Sequence, residues 1–463
     1  MRKFLIVMAI VLPFIQSASA QFYNIVPLSP LPVTTDTQES PQSKIWFHDD
    51  LYWTVLTDTV GTHVWRLDGN TWTKMLTLAK SSYARADCKV AGNLVHILLY
   101  RKSRSFLLSI EYVPEAFTYK LWSVRPERVL VLLDDSAETA TIDIDTKNRM
   151  WVAYDDMNSI KVRWSDYPYA EWSDPTSVVS GIKEDDICAL IALPIFGSIG
   201  VLWSNQNSQR FGFRMHPDGS DPTYWTEDEV PASQSAINYR GGMANDHLNM
   251  SMGRDGTLYC AVKTSYRHSG YPNLGLLVRR PNGVWDNLYQ VSETGTKGIV
   301  LLNETTGKIR IVYTADEKGG NILYRESFIA PIAFGQAFNL LNGKFNHSSS
   351  IKNNTSPNTL ILASDSLSAA GVLAFDAVYL NLAVSPNPCL TTSEIKFSIP
   401  GNTRYSVDIY NVTGNLVRNI KEGYTKYGEK FNVELEARKL PYGLYMIRLQ
   451  TDRHSKTIKL IRL

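Results

Sequence analysis

Residues 246–292 read DHLNMSMGRDGTLYCAVKTSYRHSGYPNLGLLVRRPNGVWDNLYQVS, and this stretch decides the fold prediction. Four short runs in it are rich in apolar and β-favouring residues, at 247–252, 258–263, 274–279 and 284–291. Arg254-Asp255-Gly256 and Pro281-Asn282-Gly283 separate runs with residues that are typical of hairpin turns. The second run alternates apolar and polar residues, as a half-buried strand does. The stretch therefore predicts four antiparallel strands in a meander, which is one blade of a β-propeller.

Similar units recur along the chain at a spacing of about 40 to 60 residues, within the range of propeller repeats. They are predicted at residues 44–76, 88–124, 141–178, 187–225, 298–340 and 349–375. The last unit has only three strand-like runs, and residues 22–28 (FYNIVPL) are a candidate for its outer strand. That pairing would close the ring and leave no open sheet edge. We expect an all-β chain with a seven-bladed propeller; six or eight blades are alternatives because the second unit is irregular.

The composition is that of a folded protein with room for more than one domain. Apolar residues make up 44% of the 463 positions and charged residues 20%,. The 47 Lys and Arg nearly balance the 45 Asp and Glu, so no strong net charge steers the chain toward nucleic acid,. Cys88, Cys188 and Cys260 fall in predicted strands of different blades, and with Cys389 they show no disulfide framework,. We expect buried thiols.

The N-terminus has the pattern of a secretory signal peptide. Arg2 and Lys3 form a basic region, residues 4–15 an apolar core, and Ala18-Ser19-Ala20 a small-residue cleavage motif,. We expect cleavage between Ala20 and Gln21. The apolar run is shorter than the roughly 20 residues that a membrane-spanning helix needs, so we expect no transmembrane span in the mature chain.

The blade pattern stops near Leu380. Residues 381–463 consist of short alternating runs with turns at Thr413-Gly414-Asn415 and Tyr442-Gly443, a pattern typical of a small β-sandwich, here predicted to be Ig-like,. The sequence therefore predicts three segments: a signal peptide at 1–20, a β-propeller at 21–380 and a β-sandwich at 381–463.

The C-terminal segment resembles the type A C-terminal sorting domain of proteins exported by the type IX secretion system of Gram-negative bacteria. The resemblance rests on residues 385–388 (SPNP), 395–400 (IKFSIP), 407–411 (VDIYN), 440–445 (LPYGLY) and the basic run 456–463. Cys389 departs from the family pattern, in which an aromatic residue is usual. The resemblance implies passage through the periplasm to the outer surface or the medium, with the secretion machinery as a partner. An adhesive or linking sandwich that stays attached is the alternative.

Residues 246–340 resemble a family of secreted bacterial propellers that is grouped with sialidase-like, or BNR-type, propellers. The carrying residues are 246–248 (DHL), 259–265 (YCAVKTS), 276–280 (LLVRR), 298–303 (GIVLLN) and 319–324 (GGNILY). Membership of such a group concerns the fold, so a function has to be argued from a site.

One rim of the central channel is the predicted binding site. In a propeller blade the inner strand starts on the face to which the second strand returns, so both positions line the same rim. The candidates at inner-strand starts are Asp87, Asp186, Asp246, His247, Lys297 and His347. The candidates at second-strand ends are Tyr154, Tyr266, Arg267 and His268. Aromatic rings stack on sugar faces and charged groups bind hydroxyls and carboxylates, so we expect a glycan ligand.

The enzyme signatures that we sought do not appear in the sequence. It has no Ser-x-Asp-x-Gly-x-x-Trp turn typical of sialidases, no zinc-ligand spacing, no phosphate loop and no nucleophile elbow,. We predict no metal site, and the sequence identifies no cofactor. We therefore expect a protein that binds extracellular polysaccharide or a surface glycan. The alternatives are a polysaccharide-active enzyme, either a sialidase-like hydrolase or a lyase that uses His247 and Arg267, and a protein–protein scaffold.

Overall fold

The computed structural model describes residues 21–34, 41–82, 85–353, 358–376, 380–399, 403–425, 429–452 and 454–463. The predicted signal peptide, including Ala20, lies outside these residues. The chain divides into two compact units between Phe375 and Asp376. Among the described residues the helices are single 3-10 turns at Pro114–Ala116, Pro194–Phe196, Ser233–Ser235 and Ala437–Lys439. Both units are therefore built from β-strands.

In the described part of the first unit the strands form seven antiparallel sheets. Two short strands come first, β1 (Asn24–Pro27) and β2 (Leu31–Pro32). The next sheet contains β3 (Ile45–His48), β4 (Leu51–Asp58), β5 (Gly61–Asp68) and β6 (Thr71–Ala79). It is followed by β7 (Arg85–Ala91), β8 (Leu94–Tyr100), β9 (Arg104–Val113), β10 (Thr118–Leu121) and β11 (Val129–Leu132). The third sheet contains β12 (Ala140–Ile144), β13 (Met150–Asp156), β14 (Ser159–Ser165) and β15 (Thr176–Ser180).

The remaining sheets follow the same order along the chain. The fourth contains β16 (Cys188–Leu193), β17 (Ser198–Asn205) and β18 (Arg210–Pro217). The fifth contains β19 (Leu248–Met252), β20 (Leu258–Lys263), β21 (Leu274–Arg279) and β22 (Tyr289–Ser292). The sixth contains β23 (Thr296–Asn303), β24 (Lys308–Thr314), β25 (Gly320–Phe328) and β26 (Phe338–Phe345). The seventh contains β27 (His347–Ser349), β28 (Asn358–Ser364) and β29 (Ser368–Phe375), to which β1 and β2 are added.

These seven sheets form a closed ring, and we call them blades 1 to 7 in the order of their inner strands. Along the ring each inner strand lies beside the next, in the order β3, β7, β12, β16, β19, β23 and β27. Ile351, just after β27, pairs with Ile45 of β3 and so returns the ring to its beginning. The arrangement confirms an all-β propeller, and the sheets are consistent with the predicted seven blades.

The segment that begins at Phe22 supplies the outer strand of blade 7, as predicted. β1 pairs antiparallel with β29, with Asn24 opposite Phe375. β2 continues along the same strand, with Leu31 opposite Ala369. The backbone amide of Ser29 also donates to the carbonyl of Asn70 in blade 1, at 2.8 Å. Blade 7 is therefore completed by the first described residues, which removes an open sheet edge.

The side chain of Phe22 anchors this N-terminal segment to blade 6. Its ring is buried, with its centroid 5.0 Å from that of Tyr324. The guanidinium of Arg310 lies 4.0 Å from the centre of the Phe22 ring. The backbone amide of Phe22 donates to the Tyr324 hydroxyl at 3.2 Å. One aromatic ring thus links the strand that completes blade 7 to its neighbour.

Replacing Phe22 by Ala should loosen this closure. Loss of a buried phenyl ring costs about 3–5 kcal/mol in protein cores, and Arg310 would also lose its aromatic contact. Denaturant unfolding of the mature chain, followed by tryptophan fluorescence, measures the change. Tyr23→Ala is the matched control because the neighbouring ring is exposed. Equal losses in the two variants would contradict an anchoring role for Phe22.

Blades 2 and 4 depart from the four-strand pattern. In blade 4 the predicted outer strand at Tyr224-Trp225 is wrong, because Trp225 instead packs against Trp151 and His216. The outer edge of that blade is closed by a single bridge between Phe213 and Glu229. In blade 2, β10 and β11 both pair with the long strand β9, one at each half. The irregularity predicted for the second unit therefore arises from an added strand.

Side chains satisfy backbone amides where neighbouring inner strands meet. The amide of Ile142 donates to Asp87 at 2.8 Å, although the two residues belong to different blades. In the same way the amides of Leu190, Ala192 and Val300 donate to Thr141, Asp143 and Asn249. Buried backbone donors need partners, and these contacts provide them where blade 2 meets 3, blade 3 meets 4 and blade 5 meets 6,.

Lys352 ties blade 7 to blades 2 and 3 across the channel. Its ammonium is 2.5 Å from a carboxylate oxygen of Asp87 and donates to the carbonyl of Ile142 at 2.7 Å. The other Asp87 oxygen accepts the amide of Ser43 from blade 1, at 2.8 Å. Asp87 is fully buried. Burial raises the pKa of its carboxyl group, while Lys352 acts in the opposite direction,.

Lys352→Met should destabilise the propeller by about 3–5 kcal/mol, because it leaves the Asp87 charge buried without its partner. A carboxyl group with a raised pKa binds its proton more tightly in the folded state. The variant should therefore recover stability as the pH falls toward about 4, where the unfolded group is also protonated. Denaturant unfolding at several pH values measures this. Lys352→Met with Asp87→Asn is the control and should remove most of the pH-dependent loss; an equal loss in both would contradict the ion-pair explanation.

The second unit contains two sheets around one core. Its strands are β30 (Asn381–Ser385), β31 (Ser393–Ser398), β32 (Thr403–Asn411), β33 (Leu416–Thr425), β34 (Lys430–Leu435), β35 (Gly443–Thr451) and β36 (Ser455–Arg462). One sheet has the order β30-β31-β34 and the other β33-β32-β35-β36. Ile395 and Phe397 from the first sheet share a buried cluster with Val407 and Ile447 from the second, as in a β-sandwich. Cys389 is buried in the same cluster, and all four cysteines are free thiols, as expected.

Candidate functional site

Charged and imidazole side chains meet on the predicted rim at blades 5, 6 and 7. Asp246 and His247 precede the inner strand β19, and Lys263 ends β20 beside them. The antiparallel pairing brings these positions together, since the amide of Lys263 donates to the His247 carbonyl at 2.9 Å. Lys297 lies near the start of β23, and His347 opens β27. With Glu317 from the β24–β25 loop, these six residues form what we call the rim cluster.

The three rim-cluster residues of blade 5, Asp246, His247 and Lys263, lie close to one another. A carboxylate oxygen of Asp246 lies 3.8 Å from His247 Nε2 and 3.8 Å from Lys263 Nζ. The same Lys263 ammonium contacts Glu317 at 2.7 Å. The ring centroids of His247 and His347 are 6.2 Å apart, in an edge-to-face arrangement. The cluster therefore spans the rim from blade 5 to blade 7.

A local irregularity of β23 directs Lys297 into the cluster. The pairing of β23 with β24 shifts register between Thr296 and Ile299. Lys297 adopts a left-handed backbone with φ of 59°, which is uncommon for a residue other than glycine,. Its ammonium donates to the side-chain oxygen of Asn346, and the residue is only 8% exposed. Bulges of this kind redirect side chains near functional sites.

Burial keeps both imidazoles of the rim cluster neutral. It lowers the pKa of His247 to about 3, and the charges of Lys263 and Lys297 add to the effect. Burial also lowers the pKa of His347 well below its usual range, helped by Lys297. For Asp246 burial raises the pKa, while Lys263 opposes the shift. At neutral pH the two imidazoles can each accept or donate a hydrogen bond, and the lysines carry the positive charge.

Asp87 and Asp186, predicted as rim ligands in blades 2 and 4, accept hydrogen bonds from backbone amides. Asp87 lies in the ion pair with Lys352. Asp186 is fully buried and accepts the amides of Lys183 at 2.8 Å and Gln206 at 3.0 Å. Both strand-start acids therefore hold neighbouring backbone in place.

The predicted aromatic residues at second-strand ends are also core residues. Tyr154 is fully buried in the cluster shared by blades 2 and 3. Tyr266 is 1% exposed, and its hydroxyl accepts the amide of Ile237 at 3.2 Å. Both rings therefore pack between blades in this structure, and a contact with a ligand stays a prediction,.

Arg267 and His268 are exposed on the loop after β20. The carbonyl of Arg267 accepts a hydrogen bond from Arg240 at 3.3 Å. The His268 ring packs against Tyr239, with centroids 5.4 Å apart, and against Tyr271 at 5.8 Å. These contacts belong to the loops between blades 4 and 5. Of the predicted candidates, the structure thus brings together Asp246, His247, Lys297 and His347.

Lys263 and Glu317 are cluster members that the sequence argument did not select. The end of β20 does carry a signal for Lys263, because pairing of adjacent strands places its last residue beside the first residues of the blade. Glu317 lies in the loop Asp316-Glu317-Lys318-Gly319, which returns to the same rim at the end of β24. Among the described residues no group of three or more His, Cys, Asp and Glu is arranged to hold a metal ion.

Comparison with known families identifies the C-terminal unit. Residues 383–462 match the family model described as the secretion system C-terminal sorting domain. This unit is a sorting domain. The type IX assignment made from the sequence motifs is confirmed, and the sorting domain implies an interaction with the secretion machinery. It indicates export to the cell surface or extracellular space of a Gram-negative bacterium. In the part of the chain that the structure describes, no helix is long and apolar enough to cross a membrane.

Several solved structures have a similar arrangement of strands. A polysaccharide lyase has a TM-score of 0.44 and 9% identity, covering 77% of this chain and 100% of its own. An ulvan lyase has a TM-score of 0.47 and 8% identity, covering 75% and 96%. An α-L-arabinanase from Penicillium chrysogenum has a TM-score of 0.40 and 9% identity, covering 66% and 100%. Such low values carry no argument about activity, and the sialidase-like type stays a prediction. No curated protein matches the sequence significantly.

Because the rim imidazoles are buried, the free energy of unfolding should decrease as the pH is lowered. Because their pKa values are lowered in the folded state, the unfolded chain takes up protons first, and their contribution to stability is lost as the pH falls below about 6.5. His347→Asn should therefore make the unfolding free energy depend less steeply on pH between about 4 and 6.5. Denaturant titrations across this range measure the slope. His268→Asn on the exposed loop is the matched control, and an unchanged slope in His347→Asn would contradict the effect of burial.

Proposed function

We propose that this exported propeller binds an extracellular polysaccharide that carries carboxylate or sulfate groups, and that the rim cluster is its binding site. The observation that supports this most directly is the convergence of cations, most of them buried, on the two neutral imidazoles. Lys263 and Lys297 lower the pKa of His247, and Lys44 and Arg85 from blades 1 and 2 contribute to the lowered pKa of His347. Asp246 and Glu317 are the acids that oppose them.

The chemistry of the rim cluster suits an acidic sugar. Ammonium groups bind carboxylates and sulfates through charge-assisted hydrogen bonds, and partial burial strengthens that attraction. Neutral imidazoles pair with sugar hydroxyls as donor and acceptor. Glu317 is 54% exposed, so an incoming anion can replace it at Lys263 without crossing the protein interior. Export to the cell exterior is consistent with such a ligand.

Lys297→Ala is the direct test of this site. One charge-assisted contact contributes about 1.5–3 kcal/mol, so binding of an acidic polysaccharide should weaken about tenfold or more. Calorimetry or affinity electrophoresis with alginate and polygalacturonate, compared with the neutral glucan dextran, measures the effect. Binding of the acidic polymers should also weaken with added salt. Lys120→Ala is the control, because Lys120 lies on an outer strand and pairs with Glu111.

Two results would contradict the proposal. Equal affinity of the wild type for acidic and neutral polymers would show that the charge of the ligand does not determine binding. Unchanged binding in Lys297→Ala would show that the rim cluster is not the binding site. If no glycan binds the wild type at all, a protein–protein scaffold becomes the better account of the propeller.

A polysaccharide lyase is the second candidate. The observation that favours it is the position of the His247 imidazole beside Asp246 and Lys263, since an imidazole can act as a base and a nearby cation can stabilise the charge that develops,. Release of unsaturated products, followed by ultraviolet absorbance, detects this reaction, and reducing-end assays detect hydrolysis. Turnover by the wild type that is lost in His247→Ala would establish an enzyme in place of a binding protein.

A further inference from the structure

The opposite mouth of the channel contains a cavity that the sequence did not indicate. It opens where the inner strands of blades 1 to 4 end, and its volume is about 440 Å³. Ligand pockets commonly measure about 300–1,000 Å³. The lining includes Phe47, Lys89, Asp143, Ile191, Pro194 and Asn353. We call this cavity the far-mouth cavity; its residues are distinct from those of the rim cluster.

An aromatic ring and an aliphatic floor form the apolar part of the far-mouth cavity. Phe47 is 39% exposed, although its neighbour Trp46 is buried. Its ring is held against Tyr52, with centroids 4.8 Å apart. The floor is lined by Ile45, Ile144 and Ile191 from three inner strands and by Ile351, which follows β27. The ring of Phe47 therefore forms a supported aromatic wall beside an apolar surface.

The polar part of the far-mouth cavity is fixed by hydrogen bonds to the blades. Asp143 accepts the amides of Ile144 and Ala192, each at 2.8 Å, and also pairs with the Lys89 ammonium. The Lys89 side chain is 26% exposed, so its ammonium can reach a ligand. The side-chain oxygen of Asn353 accepts from Ser251 at 3.0 Å and from the amide of Met252 at 2.6 Å. This leaves the amide nitrogen of the exposed Asn353 as a donor.

We propose that the far-mouth cavity binds a neutral hexopyranose unit. The flat face of a pyranose would lie on Phe47, while hydroxyl groups bond to the Lys89–Asp143 pair and to Asn353. The charges of Lys89 and Asp143 cancel, and Lys352, which also lines the cavity, is paired with the buried Asp87. Asp145 is occupied by the Trp151 indole at 3.0 Å and by backbone amides. The cavity therefore offers no excess positive charge to an anion. This site is independent of the acidic polysaccharide proposed for the rim cluster.

Titration of the mature chain with D-glucose, D-galactose and D-mannose, followed by saturation-transfer NMR and calorimetry, tests the proposal. D-glucuronate is the charged comparator. We expect saturable binding of at least one neutral hexose, weakened about tenfold in Phe47→Ala, because a stacking contact is lost. Phe117→Ala is the matched control, since this phenyl ring is similarly exposed, at 54%, and is not part of the cavity lining.

A second variant keeps the test decisive if Phe47→Ala folds poorly. Phe47→Leu retains apolar volume but removes the flat ring, so it should fold and still bind the hexose several-fold more weakly. Absence of saturable binding for all three neutral sugars would overturn the proposal. So would wild-type affinity in Phe47→Leu, or tighter binding of D-glucuronate than of D-glucose. Rim binding is measured with acidic polymers and Lys297→Ala, so a failure at one site is distinguishable from a failure at the other.

Discussion

A propeller has to satisfy the backbone at the inner edge of every blade, and the rest of this structure depends on how that is done. Inner strands have one sheet partner, and their other edge faces the channel. Here the acceptors are side chains of neighbouring blades, among them Asp87 and Asp143. Lys352 then neutralises Asp87 from across the ring. Because unsatisfied buried donors are costly, these contacts join separate sheets into one cooperative unit.

The need to satisfy backbone amides also divides the acidic residues of the rim into those that accept backbone hydrogen bonds and those that are exposed to solvent. The carboxylates at the rim of blades 2 to 4 accept backbone amides, and burial raises the pKa of Asp155 to about 7 in one such case. In blades 5 to 7 the rim carries lysines and neutral imidazoles, and Glu317 there is largely exposed. The two sides of one rim thus differ in charge although they arise from the same repeat. On this face the positive charge lies at Lys263, which pairs with Glu317, and at Lys297, which donates to Asn346.

Much of the fold was predictable because strand periodicity and turn residues are local signals. The closing strand near Asn24 and a two-sheet C-terminal unit appear as predicted. The template unit at 246–292 has four strands, but its last strand, predicted at 284–291, is confined to Tyr289–Ser292. The outer edge of blade 4 was not predictable. Tryptophan is common in strands, but Trp225 lies outside a strand and its ring packs against Trp151. The site was only partly predictable. Position along a strand places a residue at the rim, but whether Asp186 caps a loop or faces solvent depends on tertiary hydrogen bonds.

The pairing of Asn24 with Phe375 has a consequence for the connectivity of the propeller. The chain enters the ring and leaves it at neighbouring positions of blade 7, so a short peptide could join these points without disturbing any sheet. New ends could then be opened at an exposed hairpin on another blade, such as the one at Gly92-Asn93. The cyclic order of the blades, more than the position of the chain ends, is then what the closed ring requires,.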